Sequence, residues 1–191
     1  MKMKNTALIV VDMQNDFIGG PLPVPDAEKI IPRVNRFIRQ SEYVVWTADC
    51  HPTNHISFKE NGGIWAKHCV RNSVGAQLHQ DILTYYPELV KNYFIYKGKH
   101  SDKEEYSAFD GDDAWLIGSV GEELNLILTR DNITNLFVCG IATDYCVKHT
   151  VLDALKFGFR VNLLISACAG VSPESTKLAI GEMVLAGCKV I

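Results

Sequence analysis

Six side chains in this sequence could do chemistry if the fold brought them together: Asp12, Asp49, His51, His68, Lys97 and Cys146. Cys146 sits in GIATDYCVKHTVLDALKFG, residues 140–158, where an apolar run (Ile133, Leu136, Phe137, Val138) gives way to residues at helical spacing (Val147, Val151, Leu155). A thiol in a first helical turn meets unpaired backbone N–H groups and the positive end of the dipole, which favour the thiolate. Thr143 is expected to cap this helix and Gly158 to end it. A helical cysteine is more often simple packing, so the functional reading needs support from elsewhere in the chain. Asp12 ends the apolar run ALIVVD, where a carboxylate is costly to bury without a partner. Lys97 ends YFIYK. Together they form a thiol nucleophile, a carboxylate to take its proton and an ammonium to hold the charges. Asp49 and His51, two apart on an extended segment, point to the same side, and His68 could add a third ligand. One carboxylate and two imidazoles with open positions suit Zn, Fe or Mn better than a closed structural zinc site. His55 reads as a residue that orders the loop around those ligands.

The elements that must position these groups are strands alternating with helices. Strand-like runs lie at Thr6 to Val11, Tyr43 to Ala48, Tyr93 to Tyr96, Ile133 to Cys139, Val161 to Ile165 and Lys189 to Ile191. Helical patterns lie at Ala27 to Arg39, Ser119 to Thr129, the Cys146 segment and Glu174 to Ala186. The alternation predicts an α/β fold, a doubly wound, mostly parallel six-stranded sheet with helices on both faces. Ligands in such sheets bind beyond the carboxyl ends of the strands. Asp12, Asp49, Lys97 and Cys146 each follow the end of a strand, and this convergence favours function over packing. The span Pro52 to Asn92 is far longer than an ordinary connection, with one short helix expected near Ala76 to Leu83. Phe17, Trp65 and Tyr106, in or near these loops, could wall a flat apolar pocket or belong to the core. Asn15 and Asp16 are expected to order their own loop.

Bulk properties are ordinary. The 191 residues suit one domain, 1–191, and the net charge of -3 with no Lys/Arg cluster leaves no footprint for nucleic acid. No stretch reads as a membrane span, and the short N-terminal apolar run, broken by Asp12, does not read as a signal peptide. Six cysteines without a CxxC pair suit a reducing compartment, so the expected location is cytoplasmic.

Five stretches carry a family resemblance: VDMQNDFIGGPLPV (11–24), DCHPTNHISF (49–58), WAKHC (65–69), YKG with the later YSAF (96–109), and GIATDYCV (140–147). Their types and order resemble the nicotinamidases of the isochorismatase-like cysteine hydrolases. That resemblance implies a catalytic triad of Asp12, Lys97 and Cys146, and a divalent metal, zinc before Fe or Mn, on Asp49, His51 and His68. It implies a cis peptide between Ile141 and Ala142 that turns the N–H groups of Ala142 and Cys146 toward an oxyanion. The pocket wall would comprise Phe17, Leu22, Trp65, Tyr106 and Tyr145. The implied reaction is hydrolysis of nicotinamide, with pyrazinamide as a further substrate, through a Cys thioester, and a homo-oligomer stays open. Two positions depart from the family: Ala66 stands where proline is frequent, and Ile141 where valine is common. The alternative is a sister amidase acting on an N-carbamoyl or ureido substrate, which shares the triad but not the D-x-H plus His set. A non-catalytic scaffold on the same fold is a more distant alternative.

Overall fold

The computed structural model describes residues 4–84, 91–111, 113–115 and 123–191. Seven strands are present among them: β1 (Thr6–Val11), β2 (Tyr43–Asp49), β3 (Lys91–Lys97), β4 (Asp113–Trp115), β5 (Asn135–Ile141), β6 (Arg160–Ala169) and β7 (Lys189–Val190). Four α-helices accompany them: α1 (Ala27–Arg39), α2 (Leu124–Arg130), α3 (Lys148–Lys156) and α4 (Pro173–Leu185). The strands form one sheet in the order β4-β3-β2-β1-β5-β6-β7. Six of them run parallel, and β4 pairs antiparallel to β3 at the edge.

The continuous apolar runs follow from burial on both faces. Along β1, Ala7, Ile9 and Val11 pack against α2, α3 and α4 residues such as Ile127, Val151 and Met183. Leu8 and Val10 point the other way, into a core with Ile30, Ile31, Val34 and Ile38 of α1. A period of two along the strand thus supplies two cores from one segment. The strand order reverses between β1 and β5, so a crevice is expected beyond the ends of those two strands. Asp12 and Cys146 lie there.

Several expectations need correction. The six predicted strands are joined by a seventh, β4, whose three residues are too few to carry a periodicity. The helix expected at Ala76 to Leu83 is absent, because that segment pairs its backbone elsewhere. Gln77 accepts from the Asn15 N–H at 3.0 Å, and the His79 N–H donates to Met13 at 2.8 Å. Of the helix expected at Ser119 to Thr129, residues 119–122 lie outside the described residues, and α2 begins at Leu124. Thr143 is no cap: its hydroxyl is buried with no hydrogen-bond partner among the described residues. Chain direction instead changes through a π-helical turn, Thr143–Val147, that runs into α3. Gly158 does end α3, with φ at 88°.

Candidate active site and metal centre

Asp12 follows the last residue of β1 in the left-handed conformation, φ 48°, which turns its carboxylate under the end of the sheet. Its Oδ1 accepts from the Thr47 hydroxyl at 2.5 Å, and its Oδ2 lies 2.8 Å from Lys97 Nζ. Lys97, the last residue of β3, is fully buried. Its Nζ also contacts Asp49 Oδ1 and lies 3.3 Å from Cys146 Sγ. One ammonium therefore stands between two carboxylates and a thiol. One carboxylate oxygen from each of Asp12 and Asp49 and the sulfur of Cys146 fall within 4.8 Å of one another.

Burial sets the protonation states. It pushes the Cys146 thiol well above its usual range; Lys97 counters this, but Asp12 and Asp49 add to the upward push. Removal from water and the two carboxylates thus oppose Lys97 and the turn's dipole, so the thiol needs Asp12 beside it to take its proton. Burial also raises the Asp12 carboxyl, against the pull of Lys97. For Asp49 the balance reverses: burial pushes it up, but Lys97, His51 and His68 together hold it well below the usual carboxylate range. Lys97 is lowered by burial, yet the carboxylates outweigh that and keep it a firmly charged ammonium.

Asp49, His51 and His68 offer three ligand atoms within 4.8 Å of one another, all on buried residues. His51 Nδ1 lies 2.9 Å from the Gly98 carbonyl oxygen, and His68 Nδ1 lies 2.7 Å from that of Ala66. A carbonyl only accepts, so each Nδ1 carries the proton and each Nε2 lone pair is left toward Asp49 Oδ2, at 3.6 Å and 4.0 Å. Two imidazole lone pairs and a carboxylate oriented by backbone carbonyls fit a divalent cation with positions left open. Burial holds His68 low, whereas for His51 contact with Asp49 outweighs burial and raises it. His55 is not placed as a ligand. Its Nε2 donates to the Lys103 carbonyl at 3.0 Å, its Nδ1 accepts from Ser57 Oγ at 2.7 Å, and burial pushes it down to about 4.

Gly98 is held to glycine by this centre. Its φ is 65°, and a Cβ there would lie 2.3 Å from Cε1 of the His51 ring. Gly98→Ala is expected to displace that imidazole and weaken the binding of a divalent cation by about 10–100-fold, read by titration calorimetry. Unchanged affinity would mean that the ring is not held as described.

Cys146, Asp49 and His68 line one small cavity, about 60 Å³, together with Phe17, Leu22, Trp65, Tyr106, Tyr145 and Ala142. All five residues expected for the wall are there. The Trp65 indole donates to the Tyr106 hydroxyl at 3.1 Å, and its ring meets Tyr145 edge-on at 4.8 Å. The Ile141–Ala142 peptide is cis.

Sequence reasoning missed several participants. Pro23, Val24, Glu104 and Val171 also line the cavity. Gln14 is fully buried and clamps Asp49 through its backbone, donating to the carbonyl and accepting from the N–H, both at 2.8 Å. Its position two residues after Asp12 marks it as a group beyond the end of the first strand, but spacing did not reveal its partner Asp49. Asn15 and Asp16 do not organise their own loop. The Asn15 amide donates to Val74 at 2.8 Å, and Asp16 Oδ2 accepts from the Cys69 N–H at 2.7 Å, so both tie the first loop to the long insertion.

A buried thiol beside a carboxylate and an ammonium, opening on an aromatic cavity with a metal-type ligand set, defines a cysteine hydrolase site on a doubly wound sheet. The chain belongs to the isochorismatase domain family, whose model matches residues 6–191. It is 38% identical to a nicotinamidase of Escherichia coli, over 97% of this chain and 93% of that enzyme. A pyrazinamidase of Pyrococcus horikoshii, solved in complex with zinc, shares 44% identity at a TM-score of 0.84, covering 98% of both chains. PnC1 of L. infantum, solved in complex with nicotinate, shares 34% identity at a TM-score of 0.87, over 100% of this chain and 95% of that one. Among the described residues, no helix is long and apolar enough to cross a membrane.

Proposed function

We propose that this protein hydrolyses nicotinamide to nicotinate and ammonia, with Asp12, Lys97 and Cys146 as its catalytic residues. The observation that carries the reading is the sharing of one cavity: the thiol and the Asp49/His68 pair face the same small aromatic space. A planar ring carrying a carboxamide and a basic ring nitrogen presents one group to each.

In the first half-reaction the Cys146 S–H proton passes to the Asp12 carboxylate as the sulfur attacks the carboxamide carbon. The base that takes this proton is held 2.8 Å from Lys97. The backbone N–H groups of Ala142 and Cys146 are assigned to the oxyanion, a kind of contribution worth about 3–4 kcal/mol for one donor in other enzymes. Asp12, now protonated, gives its proton to the departing nitrogen, the C–N bond breaks, and ammonia leaves a thioester on Cys146. Asp12 then takes a proton from water, whose oxygen adds to the thioester carbon. The C–S bond breaks, the sulfur recovers the proton, and nicotinate is released. Lys97 keeps Asp12 in register and offsets the developing negative charge.

Asp49, His51 and His68 would hold one divalent cation, with zinc the first choice and Fe or Mn the alternatives. When bound, it supplies a Lewis-acid contact for the pyridine nitrogen, orienting the ring rather than generating hydroxide. Pyrazinamide keeps a nitrogen at the same ring position and is expected to be a second substrate. An N-carbamoyl or ureido substrate has no ring nitrogen to use this set.

Benzamide keeps the carboxamide and loses the nitrogen. Its kcat/KM is expected to fall at least about 100-fold below that of nicotinamide, the scale of loss a misoriented substrate produces. Ammonia release from the two amides, assayed side by side, checks this. Equal rates would remove the histidine pair from substrate recognition.

A further inference from the structure

The TDYC turn contains a buried carboxylate that the reaction does not use. Asp144, two residues before Cys146, is 5% exposed. Its Oδ1 accepts the Val171 N–H at 3.0 Å. Its Oδ2 accepts the Ser172 N–H at 3.4 Å and also the Ser175 hydroxyl. These donors belong to the link between β6 and α4 and to the first turn of that helix, where Ser172 Oγ caps the Ser175 N–H at 3.2 Å. The 13-residue helix directs its positive end at the carboxylate. Gly170 lets the link approach closely: a Cβ there would lie 1.9 Å from Thr176 Oγ1 and 3.2 Å from Asp144 Oδ1.

Val171 makes this arrangement more than a helix cap. It lines the cavity that Cys146 opens into, yet it is 37% exposed. Core packing therefore gives this wall only a partial hold, and the hydrogen bond to its N–H adds a fixed one. The geometry points to Asp144 as a positioning residue that locks the nucleophile turn to the Val171 wall and so sets how large a ring the cavity accepts. The inference rests on the amide-hydrolase reading for its substrate, while the size selection itself belongs to the cavity.

Asp144→Asn keeps the shape and one acceptor oxygen but turns an amide NH₂ toward N–H donors. Nicotinamide and a ring-alkylated nicotinamide are compared by kcat/KM. The ratio is expected to move about tenfold toward the bulkier amide, the scale on which one added carbon is discriminated. Val171→Ala should move it in the same way, and the double variant no further than either alone. A second readout needs no turnover: alkylation of Cys146 by iodoacetamide and by a bulky aryl maleimide, followed by peptide mass mapping, should shift toward the larger reagent. If wild-type protein releases no ammonia from any pyridinecarboxamide, the functional reading falls and the alkylation ratio alone decides the role of Asp144. Should Asp144→Asn fail to fold, Ser175→Ala removes one donor from the same carboxylate and is expected to shift both ratios in the same direction. Ratios unchanged in the folded variant, or effects of Asp144 and Val171 that simply add, overturn the inference.

Discussion

Cys146→Ala is expected to abolish ammonia release from nicotinamide, lowering kcat by at least about 10⁴-fold, while the protein stays folded. The two halves of this expectation have separate causes. Without the sulfur no thioester forms, and the remaining groups can only polarise a carboxamide toward water, a far weaker route. The side chain removed is small, packing against the core on one side and bordering a cavity on the other. Its loss also relieves Lys97 of one of three partners while leaving both carboxylates paired. Ammonia assays and thermal unfolding on the same preparation separate the effects. Residual activity within tenfold of wild type would remove the sulfur from the mechanism.

Lys97→Met is expected to cause the largest loss of stability, about 3–5 kcal/mol near neutral pH, together with loss of activity. Asp12 and Asp49 are both buried, and Lys97 is the cation that contacts both. Methionine fills much of the same volume but leaves two carboxylates facing each other in a site from which water is excluded. The pH dependence follows from the direction of each shift. In the wild type, Asp49 is held below its unfolded value, so its contribution is present above the ordinary carboxylate range and is lost as pH falls toward its folded value. In the variant, burial and mutual repulsion raise both carboxyls. Their penalty is then absent at low pH, where they are protonated, and grows as pH rises through their raised values. The gap in unfolding temperature between wild type and variant should therefore be wider at pH 7.5 than at pH 4.5. A gap independent of pH would mean that Lys97 acts through packing alone.

Much of the site was legible in the sequence because parallel sheets place chemistry at strand ends. Asp12, Asp49 and Lys97 each end or follow an apolar run, and the fold brings those ends to one rim. What stayed hidden depends on contacts that spacing does not encode. Gln14 acts on Asp49 across 35 residues, and Asp144 acts on Val171 across 27. The segment around Ala76 to Leu83 has apolar residues at helical intervals, yet its backbone groups bond to residues 13–16, which an isolated periodicity cannot anticipate. The upward push on the Cys146 thiol was hidden for a related reason. A turn's dipole is a local property, whereas the depth of burial and the two neighbouring carboxylates belong to the assembled fold.

The most direct measurement is the joint release of ammonia and nicotinate from nicotinamide by the zinc-loaded protein. One equivalent of each per amide consumed, with turnover continuing past the first, is the predicted result. No release with metal supplied, alongside turnover of an N-carbamoyl substrate, would contradict the account and assign the same thiol to a different amide.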